Sequence, residues 1–142
     1  MRVAQTRGGA AIGFALAATI AASGGRAAEA GLSAYQGAWL AQGSSCTEVY
    51  ASAGQGMSFK KPVDIFAPAF IVSGNRLRTP MATCRIKSVR PNGDRQVLTL
   101  ACANAVSNED VKVLMAASPD GSLKRHFNDE DNVGSPYQRC SR

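Results

Sequence analysis

The hydrophobic residues that follow position 30 fall into short segments rich in Val, Ile, Phe, Leu and Thr, separated by Gly, Pro, Asn and Asp. This rhythm of short segments and turn residues is typical of an all-β domain. In 109–118 (EDVKVLMAAS) the apolar residues recur at every second position, which predicts a strand. The pattern therefore predicts a small antiparallel β-barrel or β-sandwich of about seven or eight strands. Barrel closure is favoured because it hides the sheet edges.

A first hairpin is predicted in 70–79 (FIVSGNRLRT). The pair Gly74-Asn75 is a two-residue turn signal, because glycine takes a positive φ at no steric cost. Such a turn sets Val72 opposite Leu77.

A second hairpin is predicted around Pro119-Asp120-Gly121, which is typical of a three-residue loop. Its register sets Ala117 opposite Leu123 and Val113 opposite Phe127. These four residues then share the buried face of the sheet, and the opposite, exposed face carries Lys112, Lys124 and His126.

The third predicted hairpin is 84–102 (CRIKSVRPNGDRQVLTLAC). A three-residue loop at Asn92-Gly93-Asp94 places Val89 opposite Val97, Ile86 opposite Leu100 and Cys84 opposite Cys102. A slip of one residue would send half of the apolar residues to the wrong face, so the apolar pattern supports this register.

The four cysteines follow position 30, and an even number in a small exported chain predicts two disulfides. Cys84 and Cys102 are directly opposed and form one bond, which leaves Cys46 to bond Cys140. Spacings of the C-x2-C to C-x4-C kind are absent, which argues against a metal site and against a redox motif.

The first thirty residues have the layout of a secretory signal peptide. Arg2 and Arg7 precede the apolar run 10–22, and Ala28 and Ala30 occupy positions −3 and −1 of a cleavage site before Gly31. The run is shorter than the roughly 20 residues of a transmembrane helix, so no membrane anchor is expected. We thus predict a signal peptide (1–30) and a single β domain (31–142) in the periplasm or outside the cell.

Removal of the leader leaves thirteen basic and nine acidic side chains, a net charge of +4. This modest charge, without aromatic residues interleaved in the basic segment, argues against nucleic-acid binding. The basic excess lies mainly between positions 76 and 95. There we predict a basic stripe across two hairpins as the candidate binding surface for an anionic partner, with an ordinary solvated sheet face as the alternative. The stripe consists of Arg76, Arg78, Arg85, Lys87 and Arg90.

No catalytic constellation is predicted. His126 is the sole histidine, and its predicted place beside two cationic lysines on an exposed strand does not favour a general base and offers no dry cleft. The acidic segment 128–132 (NDEDN) begins like a calcium loop, but Val133 stands where a ligand is needed and no Glu closes the loop. We therefore expect no catalytic residue, no metal and no cofactor.

Two small, polar segments, 42–45 and 51–57, are read as surface loops that could bind a partner, since loops on a rigid scaffold often do so. The same composition also suits a plain connector. Lys60 and Lys61 follow the second segment.

Gly37-Ala38-Trp39 resembles the G-x-W that begins the first strand of lipocalin-like barrels and of small exported bacterial protease inhibitors. The resemblance implies that Trp39 caps one end of the barrel core, where it could also end a ligand pocket, and that the final cysteine is tied back to the N-terminal region. A core tryptophan at the start of a strand is the alternative.

Three functions remain open. The first is a non-catalytic binding module for a protein, glycan or small ligand of the cell envelope, including inhibition of a hydrolase. The second is a structural or accessory protein held at anionic envelope polymers by the basic stripe. The third is an enzyme, which we favour least.

Overall fold

The computed structural model describes residues 31–103 and 108–141. The predicted signal peptide lies outside these residues. The chain forms an eight-stranded closed antiparallel barrel, as the hydrophobic pattern predicts, and a separate two-stranded hairpin. A short 3-10 turn (Ser33–Tyr35) precedes the barrel, and one helix, α1 (Cys46–Val49), follows the first strand. The strands are β1 (Gly37–Ala41), β2 (Tyr50–Ala53), β3 (Gly56–Phe59), β4 (Ala69–Ser73), β5 (Arg76–Arg78), β6 (Thr83–Asn92), β7 (Arg95–Ala103), β8 (Asn108–Ala117), β9 (Leu123–His126) and β10 (Ser135–Cys140).

The barrel runs up and down from β4 to β10 and closes where β1 pairs with both β4 and β10. Between β1 and β4 the chain leaves the barrel to form α1 and the β2–β3 hairpin. Closure pairs both edges of every barrel strand, and only the hairpin keeps unpaired strand edges in the described part of the chain.

The barrel interior holds one hydrophobic cluster built from alternate residues of the strands. Trp39 and Leu98 are completely buried, and Trp39 stacks on Phe70 with ring centroids 6.4 Å apart. The interior also contains Leu32, Tyr35, Val72, Leu77, Cys84, Ile86, Leu100, Met115, Leu123 and Tyr137.

A second cluster lies on the outer face of β1 and β4, beneath the β2–β3 hairpin. Leu40 and Ile71 point outward from the barrel and pack with Tyr50, Met57 and Phe59 of the hairpin. Tyr50 and Phe59 stack at 5.5 Å. The hairpin is therefore held to the barrel wall by apolar packing.

Two hairpins have the predicted register. Val72 lies opposite Leu77 across the Gly74-Asn75 turn, and Ala117 lies opposite Leu123. Gly121 has a φ of +83°, which the three-residue loop before Ser122 requires.

The register of the β6–β7 hairpin was predicted correctly only up to Ile86. Cys84 lies opposite Cys102 and Ile86 opposite Leu100, but a β-bulge at Lys87 shifts every later pair by one residue. Val89 consequently faces Leu98 and not Val97, and the turn has two residues and not three. The extra residue in the bulge compensates for the shorter turn, so the apolar side chains stay on the inner face.

Both predicted disulfides are confirmed. The bond between Cys84 and Cys102 joins directly opposed residues and packs against the interior cluster. The bond between Cys46 and Cys140 links α1 to the last strand and packs with the second, outer cluster.

The prediction that His126 is exposed and that Ala117 and Phe127 are buried is wrong. His126 does point away from the interior, but only 6% of its surface is accessible, whereas Phe127 is 87% exposed. The β9–β10 connection covers the imidazole: Nδ1 lies 2.8 Å from the carbonyl oxygen of Asp131, and Gly134 stands against the ring. Alternation along the strand gives the direction of a side chain but not what a later loop places over it.

Candidate binding surface on the outer barrel wall

Three of the five predicted basic residues form a compact group, which we call the arginine face: Arg76, Arg78 and Arg85. Arg76 and Arg78 are alternate residues of β5 and so share one side of the sheet. Arg85 of β6 lies directly opposite Arg76, and their exposed side chains share the outer wall. Directly opposed residues of an antiparallel pair have Cβ atoms about 4.5 to 5.5 Å apart.

Among the side chains that the structure describes, none provides a carboxylate partner for the arginine face. Like charges directly opposite one another destabilise a sheet. An anion on the outer wall would relieve this repulsion.

The remaining two predicted residues are separate from this group. Lys87 forms an ion pair with Asp110 at 2.6 Å, so its charge is already compensated. Arg90 lies five residues beyond Arg85 on β6, on the far side of the bulge and roughly 16 Å away along the strand. The structure thus brings together part of the predicted stripe.

A groove with a volume of about 580 Å³ adjoins the arginine face. It lies between the end of the β2–β3 hairpin and the wall formed by β1, β4, β5 and β10. This volume is within the range of about 300 to 1,000 Å³ that is usual for ligand sites. Residues that line it are Gly37, Ala38, Ala53, Gln55, Gly56, Met57, Ser58, Ile71, Val72, Ser73, Arg78, Arg139, Cys140 and Ser141.

The groove combines an apolar floor with a polar rim. Ala38 and Ile71 belong to the floor, where the outer cluster reaches the surface, and Met57 forms part of the hairpin side. Ser73 stands on the rim directly opposite Arg76, and the half-buried Arg78 lines the groove itself. The groove and the arginine face are therefore one continuous surface, with Arg78 as the shared residue.

The second cation at the groove, Arg139, is already engaged. Its guanidinium lies 4.5 Å from the centre of the Trp39 ring and donates hydrogen bonds to the carbonyl oxygens of Gln36 (2.7 Å) and Ala34 (3.2 Å). These contacts hold the N-terminal segment against this end of the barrel. Arg139 serves the fold, and Arg78 is the better candidate to contact a partner.

Trp39 has the geometry of a core residue. Its indole N–H donates to the carbonyl oxygen of Tyr35 at 2.8 Å, and the side chain is completely buried. It lines neither the large groove nor a second groove of about 390 Å³ beside Tyr35 and Gln96. Its role at the end of a ligand pocket stays a prediction.

Two buried tyrosines remain protonated in the neutral pH range. Burial raises the pKa of Tyr35 to about 12, and its hydroxyl donates to Oε1 of Gln96 at 2.5 Å. Burial also raises the pKa of Tyr50, whose hydroxyl lies 2.6 Å from the carbonyl oxygen of Trp39. Both phenols bridge elements of the fold.

The acidic segment 128–132 forms a turn whose side chains bond its own backbone. Asp131 accepts from the N–H groups of Phe127, Val133 and Gly134. Arg95 donates to the carbonyl oxygens of Asn128 and Asp129, which ties the turn to β7. The described residues contain no group of three or more His, Cys, Asp or Glu side chains placed to hold a metal ion.

Of the two predicted loops, 51–57 proved to be mostly strand. It contains most of the β2–β3 hairpin, with Gly54 at the turn (φ +58°), and its residues form one side of the groove. Segment 42–45 is a connector after β1, and Ser44 accepts a hydrogen bond from Gln138. Lys60 donates to the carbonyl oxygen of Thr47. The turn signal Ala53-Gly54-Gln55-Gly56 could have revealed the hairpin.

Comparison with protein-family models, curated proteins and solved structures finds no match for this chain. The barrel with two disulfides is compatible with a non-catalytic extracellular binding module. The disulfides suggest an oxidising extracellular or periplasmic environment. Among the described residues, no helix is long and apolar enough to cross a membrane.

Proposed function

We propose that the protein is an exported, non-catalytic binding module that contacts its partner through the groove and the arginine face. One observation carries this proposal: three neighbouring arginines, two of them directly opposed, have no carboxylate partner among the described side chains, and one of the three, Arg78, lines a groove of about 580 Å³. Keeping like charges together costs stability, which suggests a purpose other than folding. An anionic group of the partner would be attracted to the arginine face, and an apolar part of the partner would cover the floor of the groove.

The filled barrel supports an outer rather than an inner contact surface. Trp39, Phe70 and Tyr137 pack against one another in the interior, with Phe70 and Tyr137 centroids 5.3 Å apart. A ligand inside the barrel would have to displace such side chains, whereas the groove is already open.

The environment of His126 supports a non-catalytic role. Its Nδ1 is held by the Asp131 carbonyl oxygen, and Gly134 covers the ring. A general acid or base needs a ring nitrogen within hydrogen-bonding reach of a substrate.

Capture of partners from an envelope extract tests the proposal. The wild-type protein is compared with Arg78→Glu and with Lys124→Glu, which reverses an exposed charge on β9 away from the groove. We expect a discrete partner to be captured by the wild type and by Lys124→Glu, and to be lost with Arg78→Glu. Capture that is equal for all three proteins would contradict the proposed surface.

A second function, an accessory protein held at anionic envelope polymers, is favoured by the exposure of Arg76 and Arg85. Such attachment rests on screened charges and so weakens as salt rises. It predicts release of the protein from the cell surface between 0.1 and 1 M salt, in about the range where the screening length falls from 10 to 3 Å. Release that does not depend on salt would rule against it.

A further inference from the structure

The β2–β3 hairpin leaves a strand edge unpaired at the groove. β3 pairs with β2 on one side, and no described strand pairs with its other side. Gly56, Met57 and Ser58 of β3 line the groove, so an unpaired edge of the hairpin and the groove coincide.

The open edge of β3 is short, but it lacks the charges, prolines and bulges that protect many edge strands. Natural edge strands carry charged residues, proline or bulges that discourage pairing with another chain. The sequence of β3, Gly-Met-Ser-Phe, has no charge and no proline, and its pairing with β2 is regular over all four residues. The backbone N–H and C=O groups of the edge can therefore pair with an added strand.

The arginine face reaches the groove through Arg78, which lines it together with β3. Arg76 and Arg78 are two residues apart on β5, which separates them by about 6.7 Å along the strand. Alternate side chains of an added strand have the same repeat and share one face. Acidic side chains at alternate positions of a strand that runs alongside β5 would therefore meet both arginines.

We infer that the partner segment is an extended acidic peptide that adds to β3 as the third strand of the hairpin sheet and lies in the groove. This inference rests on the proposed contact surface and adds the chemistry of the ligand and its mode of binding. Backbone hydrogen bonds to β3 provide affinity for any extended chain, and carboxylates opposite Arg76 and Arg78 select an acidic one.

Binding of a synthetic probe to the purified, oxidised protein tests the inference. The probe is a fluorescent, capped octapeptide of alternating Thr and Glu, measured by anisotropy together with the amide NMR shifts of the protein. We expect saturable binding with shift changes in Gly56–Phe59 and Arg76–Arg78. The same peptide with Lys in place of Glu should not bind, because it meets the arginine face with like charge.

Two matched changes separate strand addition from charge attraction. N-methylation of the four central amides of the probe keeps its charge but removes strand hydrogen bonds, and should weaken binding at least tenfold. Arg78→Gln should weaken binding by about tenfold, the effect expected for one charge-assisted hydrogen bond. Lys124→Gln removes a charge elsewhere and should change binding less than twofold.

The results that would contradict the inference can be told apart. Equal binding of the methylated and the parent peptide, still dependent on Arg78, overturns strand addition but leaves the groove and arginine face as the contact surface. Tighter, Arg78-dependent binding of an oligoglucuronate makes the ligand an anionic glycan, and a concentration-dependent dimer paired through β3 makes the occupant a second copy. Both overturn the peptide inference. If the Thr–Glu probe does not bind, the peptide inference is overturned as well. The capture experiment tests the contact surface independently of this result.

Discussion

Arg76 and Arg85 show at the scale of single residues how this surface differs from an ordinary sheet face. A solvated sheet gains stability from opposite charges across strands, and here two like charges stand opposite each other. Lys87, on the same wall, does have a carboxylate partner in Asp110. A stability cost at residues that no fold requirement explains is typical of a binding surface.

We predict that Arg76→Thr stabilises the protein by about 0.2 to 1 kcal/mol at low salt, because it removes the repulsion from Arg85 and Thr suits a strand. Urea unfolding measures this change, and the gain should shrink as salt screens the charges. The control, Lys124→Thr, should leave the free energy of unfolding nearly unchanged. A loss of stability in Arg76→Thr that persists at high salt would contradict this account of the arginine face.

We predict that position 134 must be glycine because the imidazole of His126 leaves no room for a Cβ atom there. A Cβ at Gly134 would lie 2.8 Å from Cε1 of the ring, and its φ of +69° also disfavours other residues. Gly134→Ala should therefore destabilise the protein by at least about 1 kcal/mol more than Gly93→Ala, which has a similar φ of +64° and an open space for the Cβ. Urea unfolding of the two variants provides the test, and equal losses would mean that the contact with His126 has no cost.

The turn after β9 makes a pH-dependent contribution to the stability of the fold. Hydrogen bonds from the backbone of Gly134, Phe127 and Val133 hold the pKa of Asp131 below its ordinary value. Because the folded-state pKa is lowered, the stabilisation is present above the unfolded pKa of about 3.9 and is lost as the pH falls through the lower, folded value. Asp131→Asn should therefore lower stability at pH 7 and reduce the difference in stability between pH 7 and pH 3. An unchanged pH dependence in this variant would show that the carboxylate contributes nothing.

At the scale of elements, the sequence predicts hairpins well where turn chemistry and apolar alternation agree. The Gly74-Asn75 and Pro119-Asp120-Gly121 turns meet both conditions, and their registers are as predicted. In the β6–β7 hairpin the alternation placed the cysteines correctly, but a bulge and a shorter turn can offset each other without moving an apolar side chain to the wrong face. Such a pair of changes leaves no trace in the hydrophobic pattern.

In the β2–β3 hairpin, by contrast, the hydrophobic pattern does not reveal the strands. Its residues 51–56 are small and polar, so they resemble a loop, and its stability comes from packing on the outer wall through Tyr50, Met57 and Phe59. The groove then arises between this hairpin and strands that precede and follow it in the chain, namely β1, β4, β5 and β10. Neither the packing nor the groove can be read from spacing, whereas the arginines of β5 and β6 could be predicted because a two-residue period fixes their face.

At the scale of the whole molecule, one disulfide joins two paired barrel strands, and the other ties α1, which lies outside the barrel, to the last strand. Cys46–Cys140 closes a loop with a sequence separation of 94, and Cys84–Cys102 one of 18. In the chain-entropy account these bonds are worth about 4.5 and 3 kcal/mol, which is large beside the 5 to 15 kcal/mol of a typical domain.

Reduction is therefore predicted to unfold the protein or to lower its melting temperature severely. The paired replacement of Cys46 and Cys140 by Ala should cost more stability than that of Cys84 and Cys102, because its loop is longer. Thermal unfolding by circular dichroism with and without reductant checks both statements. A reduced protein that melts at the temperature of the oxidised one would show that the barrel needs neither bond.

The central claim is that this protein binds its partner on the outer wall, at the groove and the arginine face. Amide hydrogen exchange of the captured complex, compared with the free protein, tests it most directly, because exchange locates the contact without any mutation. We predict new protection in Gly56–Phe59 and Arg76–Arg78 and none in Leu123–His126 on β9. Protection centred on β9, or on barrel strands other than β5 with none in the β2–β3 hairpin, would contradict the claim.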